Sequence, residues 1–302
     1  MVIATGLIKR YNLTEVLGGD RTLFNVNNLW SDKGKPYDYE SKQKLGNTRN
    51  WVDLFHHNVP RLSLDRDDIK WIQEAFAIGC ITGRFPKMYE DELSNTCEKH
   101  RLKYPSLNDS LHKGYFIRTE HVSLKHGCHG NRPYTDIKSI IESIVTTTYG
   151  HSCINPAFAD GRLTGVGPED NICNIYFIEW IDNYDEEKEF RVFVCDNRIT
   201  AISTQNIYKI NTWLNALTDQ EILDIICDMT AFFCNNIRDK LSFISSYVMD
   251  IYYRGPNNWY FIEPNCFGAE YPSGSALFHW NSDSDLLNGN VDYIELRYVS
   301  GK

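Results

Sequence analysis

Apolar positions at helical spacing first appear over residues 65–78, where Ile69, Ile72 and Phe76 recur three and four residues apart behind an acidic first turn; Gly79 follows as a stop. Residues 89–100 carry mostly charged side chains and read as a weaker helix. Residues 1–60 show little periodicity, and SDKGKPYDYESKQKLGNTRN within them reads as a loop, suited to a partner-facing extension. The character changes near Gly114. GYFIRTEHV is a buried-strand pattern, and residues 136–147 place Ile137, Ile140, Ile141, Ile144 and Val145 on one helical side. The strand NIYFIEWI, an acidic turn DNYDEEK and the hairpin EFRVFVCDNRITAIST, turning at Asp196 and Asn197, come next. Thr218 with Glu221 forms a capping box for a helix carrying Ile222, Ile225, Ile226, Met229, Phe233 and Ile237. A last hairpin, SYVMDIYYRGPNNWYFIEPN, turns around residues 255–258. Hairpins mixed with helices, without regular alternation, predict an α+β fold with two largely antiparallel sheets. The change of character divides the chain into residues 1–113 and 114–302.

Composition narrows the function classes. A chain of 302 residues with 42% hydrophobic and 13% aromatic content has material for a sizeable core and is not a disordered chain. A formal charge of -9 argues against a general binder of nucleic-acid backbone, which gains affinity from a basic face. No signal-peptide pattern opens the sequence, and no apolar run is long enough to span a bilayer. Nine cysteines without a CxxC pair fit free thiols in a reducing compartment, so a cytoplasmic location is expected.

Four features carry candidate chemistry. In the last hairpin Glu263 and Asn265, two apart on one strand, share a face, and the turn places Asp250 roughly opposite them. Two carboxylates and an amide oxygen form a hard-oxygen set suited to Mg²⁺; a polar solvent face is the alternative. Arg191, in EFR, points away from Phe190 and Val192, either toward a phosphate or into a cross-strand salt bridge. Arg118 lies inside an apolar strand and needs an anionic partner, while Lys125 follows in a loop holding Gly127 and Gly130 that could fold over phosphates. The strand end FIEWI offers backbone edges for a purine, with Glu179 or Asp182 beside it, or is simply a strand running into a loop. His126, Cys128, His129, His151 and Cys153 lack the paired spacing of structural zinc sites. There is no Walker-A loop and no GxSxG elbow, and GSALFHW reads as a packing segment.

Taken in order, FIRTEHVSLK, IEWIDNYDEEKEFRVFVCDNRITAIS and SYVMDIYYRGPNNWYFIEPNCFG with ALFHW resemble the eukaryotic cell-division-cycle protein 123 family over roughly residues 114–281. That family is a branch of the ATP-grasp proteins that assists assembly of translation initiation factor 2, and bacterial and phage ATP-grasp sequences share the skeleton. The resemblance implies an ATP-grasp-like fold whose helices and sheets clasp a nucleotide, with ATP and Mg²⁺ as cofactors. It implies that Arg118 and Lys125 are the basic nucleotide-facing positions. Glu179, Trp180 and Ile181, with Asp182, stand at the adenine-reading hinge, and Arg191 is directed at the terminal phosphates. Asp250, Glu263 and Asn265 stand as the metal set. The eukaryotic proteins usually carry Asp-Phe-Asn-Pro where this chain has Glu263, Pro264, Asn265 and Cys266, which keeps the ligand types and moves the proline. The implied activity is that of an ATP-dependent assembly factor with a protein client such as the γ subunit of initiation factor 2. The alternative is a ligase that phosphorylates a carboxylate for attack by an amine or thiol of a small-molecule or peptide acceptor. Catalytic residues for an acceptor are not singled out; His279 is a candidate by position only. Neither nucleic acid nor membrane is an expected partner.

Overall fold

The structure is a computed structural model that describes residues 5–18, 23–29, 34–154 and 173–301. Their elements run β1 (Thr5–Asn12), α1 (Leu13–Gly18), α2 (Tyr39–Leu45), α3 (Thr48–Phe55), β2 (Arg61–Leu64), α4 (Arg66–Thr82), α5 (Glu90–Lys103), α6 (Pro105–Ser110), β3 (Tyr115–Arg118), α7 (Ile137–Thr146) and α8 (Gly150–Ile154). They continue with β4 (Cys173–Glu179), β5 (Glu189–Cys195), β6 (Arg198–Thr204), α9 (Thr212–Asn215), α10 (Asp219–Phe232), β7 (Tyr247–Gly255), β8 (Asn258–Cys266), α11 (Ser284–Leu287) and β9 (Tyr293–Ser300). The chain forms two compact units, one of Met1–Gly46 with Asn183–Lys302 and one of Asn47–Asp182. The change of character at residues 113 and 114 falls inside the second of these.

The first unit is built on a six-stranded sheet of order β1-β9-β6-β5-β7-β8. Hairpins β5–β6 and β7–β8 form at the anticipated turns, because Asp196, Asn197 and Asn257 tolerate the positive φ that tight turns demand. The sheet is only partly antiparallel: the β6–β5, β5–β7 and β7–β8 ladders are antiparallel, and β9 lies parallel to both β1 and β6. Periodicity fixes which face a residue takes and leaves its partner strand open, so this pairing was invisible in the sequence. The Thr218–Glu221 capping box starts α10, which buries Ile222, Ile225, Ile226 and Met229 and packs on β1. The loop expectation for residues 31–50 also fails. It holds α2 and the start of α3, and Tyr39 of α2 stacks on Tyr271 with ring centroids 5.3 Å apart. Burial of an aromatic outweighs the weak local propensity of this polar segment.

The second unit has the antiparallel sheet β2-β4-β3, whose Leu62, Leu64, Ile117, Ile175 and Phe177 pack with Ile69, Ile72, Ile140, Ile141 and Ile144 in one core. The α4 helix runs through Gly79 instead of stopping there. A Cβ at Gly79 would lie 2.5 Å from Val145 Cγ1, so this glycine serves the crossing of α4 and α7, and Gly83 (φ 65°) ends the helix. Its start is a capping box in which Asp65 accepts from the backbone of Asp68 and Asp68 accepts from that of Asp65. Asp68, only 3% exposed, also accepts from His100 Nε2 (2.8 Å), Lys99 Nζ (2.8 Å) and Thr96 Oγ1 (3.2 Å).

Burial alone would raise the Asp68 pKa, but the hydrogen bonds from His100 and Lys99 outweigh it and hold it well below the ordinary carboxylate range. A depressed folded-state value stabilises the fold above the unfolded pKa, and that stability is lost as pH falls below the carboxylate range. Asp68→Asn is therefore expected to destabilise the protein at neutral pH and to flatten the stability profile below about pH 4. Urea melts of both proteins across that range check this, and parallel profiles would refute it.

Candidate functional site

The site candidates divide between the two units. In the first, strand register sets five side chains in one row across the sheet. Arg297 on β9 pairs with Ser203 on β6, Ser203 with Arg191 on β5, Arg191 with Asp250 on β7, and Asp250 with Glu263 on β8. Directly paired residues share a face, so the row is polar on one side of the sheet. Asn265 pairs with Val248, two residues before Asp250, and joins the same face.

Arg191 and Asp250 are 8% and 1% exposed and form a two-pronged pair: Nε to Oδ1 at 2.9 Å and Nη2 to Oδ2 at 2.8 Å. Arg191 Nη1 also donates to the Gly274 carbonyl at 2.8 Å. Burial opposes the guanidinium charge, but Asp250, with Glu263 beyond it, raises the Arg191 pKa above its ordinary value. Arg191 thus makes the cross-strand salt bridge, and three of its nitrogens are engaged within the protein. Glu263 and Asn265 are half-buried, and Asn265 Nδ2 is a buried donor without a hydrogen-bond partner among the described residues. Two carboxylates and an amide oxygen on one face suit a hard divalent cation such as Mg²⁺.

The segment after β8 roofs this row. Leu277 N donates to Ser203 Oγ (3.3 Å), and Leu277 O accepts from Arg297 Nη1 (3.0 Å). Arg297, 5% exposed, is also gripped by Asp283 (2.7 and 2.8 Å) and by Glu295, and its guanidinium lies 4.0 Å from the Phe278 ring centroid. Phe193 packs edge-on against Phe278 and Trp280. The GSALFHW segment is a packing element. His279 Nδ1 accepts from the backbone of Asn281 (3.2 Å) and Ser282 (3.1 Å), a turn-stabilising arrangement.

In the second unit a shorter row runs Arg61–Tyr176–Arg118 across β2, β4 and β3. Arg118 is 3% exposed and its guanidinium lies 5.3 Å from the Trp51 ring centroid. Glu120, also 3% exposed, was missed by the motif reading. It accepts from Arg49 N (3.2 Å), Arg49 Nη2 (3.0 Å), Asn174 Nδ2 (3.1 Å) and Tyr176 Oη (2.8 Å). The signal was present, since a carboxylate two residues from a strand arginine is costly to bury without such partners. Lys125 is half-buried and follows a tight return in which Thr119 N bonds Val122 O at 2.8 Å. Glu179 ends β4 exposed, Trp180 and Ile181 are half-buried, and Asp182 is exposed; Trp180 lies against Phe116 at 6.5 Å.

A protein-family model described as D123 matches residues 168–302, somewhat under half of the chain. The solved structure of Cdc123 from Schizosaccharomyces pombe is similar at 18% identity and a TM-score of 0.59, covering 87% of this chain and 98% of that one. The chain shares the fold of Cdc123. A C-terminally truncated form of the same protein agrees at 17% identity and a TM-score of 0.58, with the same coverage. A RimK-domain ATP-grasp protein from Sphaerobacter thermophilus is similar at 10% identity and a TM-score of 0.30, over 74% of this chain and 59% of that one. No curated protein sequence matches. Among the described residues no helix is long and apolar enough to cross a membrane.

Proposed function

We propose that this chain binds Mg-ATP in the manner of the ATP-grasp proteins and acts as an ATP-dependent assembly factor on a protein client, such as the γ subunit of initiation factor 2. The observation that carries the proposal is the row Arg191–Asp250–Glu263 with Asn265 on the same sheet face. In this reading Asp250, Glu263 and Asn265 hold the metal, which screens the phosphate charge when bound. Arg191 orients the Asp250 carboxylate beside the terminal phosphates. The same reading gives Arg118 and Lys125 the role of basic nucleotide contacts and the Glu179, Trp180, Ile181 and Asp182 segment that of reading adenine. The Cdc123 fold supports the protein-client role.

Titration calorimetry with ATP, with and without Mg²⁺, tests the proposal. Glu263→Gln is the most informative variant, because Glu263 is half-buried and keeps its shape on substitution. It is expected to weaken Mg-ATP binding about 100-fold, or roughly 2.7 kcal/mol, while metal-free ATP is less affected. Equal affinity of Glu263→Gln and the unaltered protein for Mg-ATP would remove Glu263 from the metal set.

A ligase is the second reading, and one feature favours it. A cavity of about 370 Å³ in the first unit is lined by Lys42, Phe243, Tyr247, Asn265, Cys266 and Tyr271, among others, and so borders the proposed metal set. Its size and mixed lining suit a small acceptor. ADP release that requires an added carboxylate would decide for the ligase; tight ATP binding without turnover, together with client recovery, would decide for the assembly factor.

A further inference from the structure

The loop after β3 lies against α7 far more closely than its sequence suggests. A Cβ on Gly127 would lie 2.5 Å from Ser143 Cβ, so the backbone at 127 touches the helix. One residue on, Cys128 N donates to Thr146 Oγ1 at 2.8 Å, and that hydroxyl donates to the Glu142 carbonyl at 2.7 Å. Tyr134 Oη bonds Ser143 Oγ at 2.8 Å and Leu124 O at 3.0 Å, closing the loop from its far side. The loop is pinned to one face of α7, and this brings Cys128, His129 and Glu142 together with all their ligand atoms within 4.8 Å of one another. His129 Nε2 lies 2.6 Å from Glu142 Oε2.

We propose that Cys128, His129 and Glu142 form a zinc site, with no fourth ligand supplied among the described residues. A thiolate, an imidazole and a carboxylate match the borderline-soft ion, whose ligand atoms lie about 2.0–2.3 Å from the metal, hence roughly 3.3–3.8 Å from one another. His126 and Cys153, which proximity in sequence also offered, are not in this set: the His126 ring lies tilted beside Tyr149 with centroids 5.3 Å apart, and Cys153 is 1% exposed. The side chain of His151 lies outside the described residues. Spacing rules that seek paired Cys and His ligands overlook the site, because its third ligand is a glutamate on a helix.

An arginine can only donate, so its contact with His129 Nδ1 makes that nitrogen the acceptor and leaves Nε2–H to face Glu142. Binding zinc at Nε2 moves the ring proton to Nδ1 and releases the exposed Arg132; the Cys128 thiol gives its proton to solvent. Arg132 therefore competes with the metal.

Co²⁺ and Zn²⁺ titrations of the full chain without nucleotide test this. Cobalt is expected to give one near-ultraviolet thiolate-to-metal band that zinc abolishes, a signature the all-oxygen set of Asp250, Glu263 and Asn265 cannot produce. Cys128→Ser should erase the band. Cys128→Ser and Glu142→Gln should each lower zinc affinity about 100-fold, and Arg132→Gln should keep or raise it. Circular dichroism of the same samples verifies folding, which an exposed thiol does not govern. A band that survives Cys128→Ser, no band in the unaltered protein, or zinc affinity indifferent to Glu142→Gln would overturn the site.

Discussion

Arg191→Ala is expected to cost about 3–5 kcal/mol of stability, seen as a lower midpoint in urea and a lower melting temperature. The substitution strips two charge-assisted hydrogen bonds from a carboxylate that is 1% exposed, and one from the Gly274 carbonyl. The large cost reflects the charge left behind more than the intrinsic strength of the pair. A companion variant separates these. Arg191→Met with Asp250→Leu replaces both charges with apolar groups, and it should recover most of the stability lost in Arg191→Ala. If the pair serves only packing, the double variant behaves like the unaltered protein in every assay. If Asp250 is also a metal ligand, the double variant folds and fails to bind Mg-ATP. An Arg191→Ala protein as stable as the unaltered one would show that the pair is not the anchor described here.

Glu120→Ala is the counterpart in the second unit, with an expected loss of about 3 kcal/mol or more. Four donors converge on this carboxylate, and the Glu120 backbone carbonyl also accepts from Thr48 N at 2.9 Å at the start of α3. Removing it strands Tyr176 Oη, which the carboxylate holds well above its ordinary pKa after burial has already raised it. Glu120→Gln should recover part of the loss, because an amide oxygen still accepts while an amide nitrogen faces donors. Amide hydrogen exchange across β4 and the first turn of α3 reads the effect locally; unchanged protection there would refute the tie.

Legibility followed the physics of each signal. Both hairpins were readable because alternation and Asn or Asp at positive φ are local properties, as was the Thr218–Glu221 cap. The parallel contact of β1 with β9 joins segments almost the whole chain apart, and nothing local encodes it. Gly79 misled because a missing Cβ signals a helix stop and a close helix crossing equally well. At the candidate site, alternation put Arg191 on the right face but could not choose between a phosphate and a carboxylate as its partner. The choice depended on Asp250, 59 residues away, being its direct neighbour. Glu120 and Glu142 escaped because their partners come from other elements.

The two units differ in how they are threaded. Residues 47–182 are continuous, whereas the other unit is assembled from residues before and after them. On a translating ribosome the last strand of the continuous unit, β4, emerges more than a hundred residues before β9 is complete. Throughout that interval β1 lacks its ladder partner, because among the described residues its strand neighbour is β9. The order of synthesis thus sets an order of folding: the inserted unit can consolidate first, and the opening strand waits as an unpaired edge for the closing one.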